Sequence, residues 1–216
     1  MKKAVFILAL FSSFSALAQK VKFADGFIIT KTNDTLRGLV YWKKNSTQYD
    51  NLLYKRTETD EPRQFSWEEL KYAYNKHAEK AVLVKRVRRS LEYVDPADFI
   101  IKLVDSSAVQ TIPLTAVYIG HRLSLYEFFD KVPFFFIYDG EKMLQLIQKY
   151  RYLTDNEKKF FFQKAPRYYT FNEYRGLLRN YYDFTADKKM KYLLDELQYD
   201  EVSLHTFISK MDKKLK

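Results

Sequence analysis

Three histidines, His77, His121 and His205, are the chain's only imidazoles and the first residues to question about catalysis or metal binding. They lie in a predicted sheet loop, a turn and a predicted helix, so no two have the local spacing that presents a pair of imidazoles to one metal. A metal site would need all three to converge through folding, whereas scattered histidines are ordinarily surface or locally hydrogen-bonded groups. His121, in a turn beside Gly120, is the one placed to be exposed, and a serine–histidine–acid set assembled around it from distant residues would make a small hydrolase. Glycoside hydrolysis needs two carboxylates facing each other across a cleft. Glu68 and Glu69 are adjacent in a predicted helical turn and point in different directions, where capping and solvation explain them. Asp25, Asp34, Asp95, Asp105 and Asp139 fall at predicted turns, where an aspartate side chain bonds its own backbone.

The patterns of several enzyme classes do not occur. Gly26, Gly38, Gly120, Gly140 and Gly176 never take the spacing of a phosphate-cradling loop or a dinucleotide fingerprint, and there is no Gly-x-Ser-x-Gly elbow for a serine nucleophile. The chain has no cysteine, which excludes disulfides, thiolate metal sites, cysteine nucleophiles and a lipid-bearing cysteine. No motif implies a cofactor. Aromatic residues interleaved with basic ones point to binding: Tyr41, Trp42, Lys43 and Lys44; Tyr126, Phe128 and Phe129; Arg167, Tyr168 and Tyr169. Such groups stack on sugar rings, attract anionic ligands or anchor a protein interface. Core packing is the alternative, since alternation along a strand buries about half of any such group.

The elements that would position these residues change character along the chain. From residue 20 to about 150, short apolar stretches rich in β-branched and aromatic residues alternate with turn formers, the pattern of an antiparallel sheet of roughly eight to ten strands, barrel-like or sandwich-like. Asn33-Asp34 and Asp139-Gly140 mark hairpins, and Ser66 with Glu69 has the capping-box form of a single helical turn. Residues 151–167 form a charged, aromatic connector. After it, three helices follow from apolar residues at i, i+3, i+4 and i+7: Tyr174, Leu177, Leu178 and Tyr181; Met190, Leu193, Leu194 and Leu197; Leu204, Phe207, Ile208 and Met211. Thr170 and Glu173 suggest a capping box for the first. The expectation is an α+β protein, with residues 19–150 β-rich and 151–216 a helical region packed on them as one unit.

Residues 1–18 fix the expected location. Lys2 and Lys3, an apolar core of about a dozen residues and the small-residue end Ala16-Leu17-Ala18 have the form of a secretory signal peptide cleaved near Ala18/Gln19. The run is short for a membrane anchor, and no later run is long enough to span a bilayer as a helix. Removing it lowers the formal charge by two, from +10 to +8. Export makes nucleic acid an unlooked-for partner and leaves an envelope protein or an anionic glycan or lipid surface, against the plainer reading of a solvated basic surface. Lys85, Arg86, Arg88 and Arg89, and the lysines of the tail, read as such solvated faces. With 18 Tyr, 18 Phe and 2 Trp and no disulfides, stability must come from aromatic burial.

Gly26-Phe27-Ile28-Ile29-Thr30 followed by Asn33-Asp34-Thr35 and Gly38 resembles the opening of a widespread group of exported proteins of Bacteroidota. Their mature chains begin with a glycine, an aromatic-aliphatic strand, a "GDT" turn and a second glycine; here Asn33 replaces the turn glycine. Phe65-Ser66 with Glu69-Leu70, Leu123 to Tyr126, and Tyr199 to Met211 look like later landmarks of that group. The resemblance implies an envelope location and a β region followed by helices, and it supplies no catalytic residues. The sequence therefore points to an exported, periplasmic or outer-membrane-associated binding or interaction module without enzymatic activity, with a small periplasmic hydrolase as the alternative.

Overall fold

The computed structural model describes residues 22–42, 51–77, 80–90, 93–94, 100–102, 109–153 and 168–215. The leader with its cleavage site, Lys43, Lys44 and Arg167 lie outside them. The protein is α+β, as the change of period predicts. Ten strands form one antiparallel sheet: β1 (Ala24–Thr30), β2 (Thr35–Tyr41), β3 (Leu52–Lys55), β4 (Arg63–Phe65), β5 (Leu70–Asn75), β6 (Lys80–Arg88), β9 (Val109–Ile119), β10 (Ser124–Asp130), β11 (Val132–Tyr138) and β12 (Met143–Leu146). β7 (Tyr93–Val94) pairs with β8 (Ile101–Lys102), and β13 (Lys149–Tyr152) with β14 (Tyr168–Phe171). The helices are α1 (Glu173–Arg179), α2 (Lys188–Asp195) and α3 (Glu201–Asp212). No described helix is long and apolar enough to cross a membrane.

The large sheet runs in the order β12-β11-β10-β9-β6-β5-β1-β2-β3-β4. β1 is interior, pairing with β2 on one side and with β5 on the other, and two meanders grow outward from it. The predicted hairpin at Asn33 is present, and Asn33 itself has φ +70°. In that left-handed conformation glycine costs least and asparagine is among the next most tolerant, which is why either can occupy the turn. Gly26 and Gly38 face each other across the β1–β2 ladder, and a Cβ on either would collide with a carbonyl of the next strand, Tyr74 or Lys55.

The strands β10 and β11 are buried on both faces. Tyr126, Phe128, Phe134 and Phe136 join Ile28, Val40, Leu114 and Trp67 in a core made by the sheet and its connections. The alternate residues Leu125, Phe135 and Ile137 join Leu123, Leu146 and the apolar stripes of the helices in a second core. Each stripe residue buried there, such as Leu204, Phe207, Ile208 and Met211, contributes roughly 1.5–3 kcal/mol relative to exposure.

β9 runs from Val109 through Pro113 to Ile119. At Pro113 β9 is laddered to β6 alone, because the β10 ladder begins at Thr115, so one edge of the strand tolerates a residue without an N–H. Thr170 does not cap α1; it lies in β14 and Asn172 takes the N-cap position. The Ser66–Glu69 expectation is met, with the Ser66 N–H donating to Glu69 Oε2 at 2.7 Å.

Candidate functional site

The turn from β9 to β10 brings His121 next to a buried carboxylate. Asp212, the last residue of α3, is 6% exposed. Its Oδ1 accepts the backbone N–H groups of Arg122 at 2.8 Å and Leu123 at 2.7 Å, and its Oδ2 accepts the N–H of His121 at 2.9 Å and the Tyr118 hydroxyl at 3.0 Å. Successive backbone amides in a turn form a concave anion cradle. Burial pushes this carboxyl up, but the three amides and the Tyr118 hydroxyl outweigh it and hold it below the ordinary range. They also offset the unfavourable placement of an acid at a helix C-terminus. Gly120 permits the approach, since a Cβ there would strike Asp212 Oδ2 and the Leu123 carbonyl.

This arrangement decides the chemistry at His121. A histidine activated by an acid needs a carboxylate oxygen facing its ring nitrogen. Both Asp212 oxygens are taken by amides and a phenol, and the contact with His121 is to its backbone. His121 is exposed as expected, His77 is exposed in the β5–β6 turn, and His205 sits on α3 with its ring edge-on to Tyr118 at 5.6 Å. Among the described residues no three histidine, aspartate or glutamate side chains gather where a metal could be held. Asp139 has its turn role: Oδ1 accepts from the N–H of Glu141 at 3.0 Å and of Lys142 at 2.7 Å.

The aromatic-basic groups go to different places. Tyr41 is half-buried on β2 with its ring 6.0 Å from Phe23, and Trp42 packs edge-on against Trp67 at 6.2 Å beside the inner core. Tyr126 and Phe128, 8% and 6% exposed, belong to that core, so the packing alternative holds for them. Their strand is buried on both faces, leaving no solvent side for alternation to supply. Phe128 lies under Arg89, whose guanidinium carbon is 4.6 Å from the ring centroid. Arg89 is itself buried, bonded to Gln110 at 2.7 Å and Asp130 at 3.4 Å, and so departs from the solvated face expected of its cluster.

Of the third group, Tyr168 and Tyr169 lie in β14, on opposite faces of its pair with β13. Lys149 pairs with Phe171 and Arg151 with Tyr169, and directly opposite residues of an antiparallel pair share a face. The Arg151 guanidinium carbon lies 5.2 Å from the Tyr169 ring centroid and 5.9 Å from that of Phe171. Phe171 is 45% exposed, and Arg151 and Lys149 are exposed. On the other face Tyr168 meets Tyr150 edge-on at 5.6 Å and the Tyr152 hydroxyl accepts the Ile101 N–H at 2.9 Å, with Tyr152 itself 48% exposed.

Tyr150 also lines a cavity of about 140 Å³ with Ser90, Tyr93, Phe134, Gln145 and Tyr199. Its polar groups serve the protein itself. Gln145 Oε1 accepts the Ser90 N–H at 2.6 Å while its Nε2 donates to the Ser90 carbonyl at 2.8 Å, and the Tyr199 hydroxyl donates to the Leu146 carbonyl at 2.6 Å.

Sequence reasoning missed Asp212 and placed Lys149 to Tyr152 at the edge of a connector. Both carried a signal. Asp212 is four residues after Ile208, an acid on the apolar stripe, and Lys149-Tyr150-Arg151-Tyr152 alternates basic and aromatic residues with a strand's period of two. The chain matches no known family, no curated protein and no solved structure.

Proposed function

We propose that this chain is an exported cell-envelope binding module, periplasmic or outer-membrane-associated, whose ligand surface is the Lys149, Arg151, Tyr169 and Phe171 face of the β13–β14 ribbon. The observation that carries this is a guanidinium held against two rings on an exposed face of a strand pair. Arginine and aromatic side chains together supply flat apolar area and a directed charge, the two things a recognition surface needs and a solvated face does not. The leader-like residues 1–18, the resemblance of the β1–β2 segment to exported Bacteroidota proteins and the basic formal charge support an envelope setting with an anionic component as partner. The hydrolase reading has less to stand on, because the buried acid beside His121 is fully engaged by amides.

The test is affinity capture by the purified protein from its own cell envelope, washed at low and then high salt, with retained material identified by mass spectrometry. Wild type should retain a stoichiometric component through high salt, and Arg151→Ala with Phe171→Ala should release it. Equal retention by wild type and the double variant would refute the ribbon as the surface.

A further inference from the structure

We infer that the α2–α3 face, a surface separate from the ribbon, docks a second copy of this chain, the two helix pairs lying end for end across a two-fold axis. A groove of about 260 Å³ runs between these helices, with Leu193, Leu197 and Phe207 in its lining. Its α3 wall carries Val202, Thr206 and Lys210, and Glu196 lies on its α2 wall. The helices are antiparallel, because the Lys214 ammonium reaches Asp187, the N-cap of α2, at 2.6 Å, while a short link joins the end of α2 to the start of α3. Glu196 therefore sits at the link end and Lys210 at the far end, with about 12 Å of helix between Val202 and Lys210.

The helix pair as a whole has the same order of charge. Lys188, Lys189, Lys210 and Lys213 are exposed at one end, and Glu196 and Glu201 at the other. Among the described residues none of these six forms an ion pair. Lysines in the first turn of α2 and acids at its last run against the helix dipole, so the arrangement does not serve the helix that carries it. An apolar groove with one sign of charge at each end is its own complement once turned end for end. In a two-fold pair a contact from one residue to another is made twice, once in each direction. An axis at Thr206, midway between Val202 and Lys210, sets Glu196 of each copy against Lys210 of the other and lays Val202 on that lysine's aliphatic stem. Val202 is 75% exposed, and Tyr192, one turn before Glu196 on the same side of α2, is 65% exposed. A second helix pair laid along the groove covers both, whereas an anionic amphiphile or an acidic peptide would use Lys210 and leave Glu196 unanswered. The face is two helices wide and about 18 Å long. That is less than the ~800 Å² per partner of a standard interface, so the dimer is weak and sensitive to salt.

The test is sedimentation equilibrium of the purified protein over about 5–500 μM, at about 50 mM and about 500 mM salt. A monomer–dimer equilibrium that weakens at the higher salt is the expected result. Glu196→Lys and Lys210→Glu should each weaken dimerisation about tenfold, because like charges then meet across the axis. The double reversal should regain it. An equimolar mixture of the two single variants should form a heterodimer, since the basic ends of one copy then meet the acidic ends of the other. Thr206→Arg, which sets two cations at the axis, should abolish association. Unchanged circular dichroism and melting would show that these exposed-site variants fold. A protein monomeric throughout the range, a dimer indifferent to both charge reversals, or single variants rescued neither by mixing nor by the double reversal would overturn the inference. So would a monomer whose groove takes decanoate or an acidic peptide.

Discussion

The α3 corner and the β13–β14 ribbon use the same kinds of residue to opposite ends. At the corner a carboxylate, a phenol and a histidine-bearing turn are drawn together, and every polar bond closes on the protein. On the ribbon a guanidinium and two rings are drawn together, with Phe171 45% exposed and Tyr169 half-buried. Residue type alone would send a search for function to the corner, because it holds a histidine and a buried acid. Exposure sends it to the ribbon, where Lys149, Arg151 and Phe171 are exposed. A buried polar cluster whose bonds close on the protein holds the fold, while an exposed face of charged and aromatic side chains is reachable by a partner.

The sharpest way to break this comparison is Asp212→Ala, which leaves three amides and a hydroxyl facing a void. It should lower unfolding free energy by about 3–5 kcal/mol in urea titration. A loss below about 1 kcal/mol would mean that the corner does not hold α3 to the sheet. Phe128→Ala, an aromatic-basic candidate from the sequence that proves to be core, should cost about 3–4 kcal/mol by the same measurement. Gly120→Ala should cost about 1–3 kcal/mol, because the new methyl must displace the Asp212 carboxylate.

Acid provides a gentler probe. The Asp212 carboxyl is held low in the folded protein, so unfolded chains bind its proton more readily. Its contribution to stability is complete above the unfolded value of about 3.9 and is lost as pH falls through the lower folded value. Melting followed from pH 5 to pH 2 should therefore fall less steeply for Asp212→Asn than for wild type, from a lower starting point. Identical slopes would show that another carboxylate governs the acid limb. Smallest of all, Arg151→Ala and Tyr169→Ala should shift stability by no more than about 0.5 kcal/mol while altering ligand capture, which separates the ribbon from the corner in a single pair of assays.

How legible all this was in the sequence depended on whether the signal was local. The β1–β2 hairpin could be read because Asn and Asp favour a tight turn through bonds to their own backbone, and the helices because their stripes repeat within one element. That β9 passes through Pro113 could not be read locally, because proline breaks a strand laddered on both edges but not one laddered on one, and which edges are paired is set by β6 and β10. Tyr126 and Phe128 were candidates for a surface because strand alternation assumes one wet face, and β10 has none once helices cover its back. The corner was illegible for the same reason: its four bonds join residue 212 to residues 118–123. The ribbon was half legible, since Tyr168 and Tyr169 were singled out while their partners across the ladder, Tyr152 and Arg151, were assigned to no element.

The Asp212 cradle also orders events in time. Most strand pairs of the large sheet join neighbours in sequence and can zip as soon as both strands exist, whereas the cradle waits for a residue some ninety positions after its amides. A chain that emerges from its N-terminus, through a ribosome or through a translocase, holds an open loop at 120–123 until its last helix arrives. Until then the sheet is without the clasp that shuts its helical side.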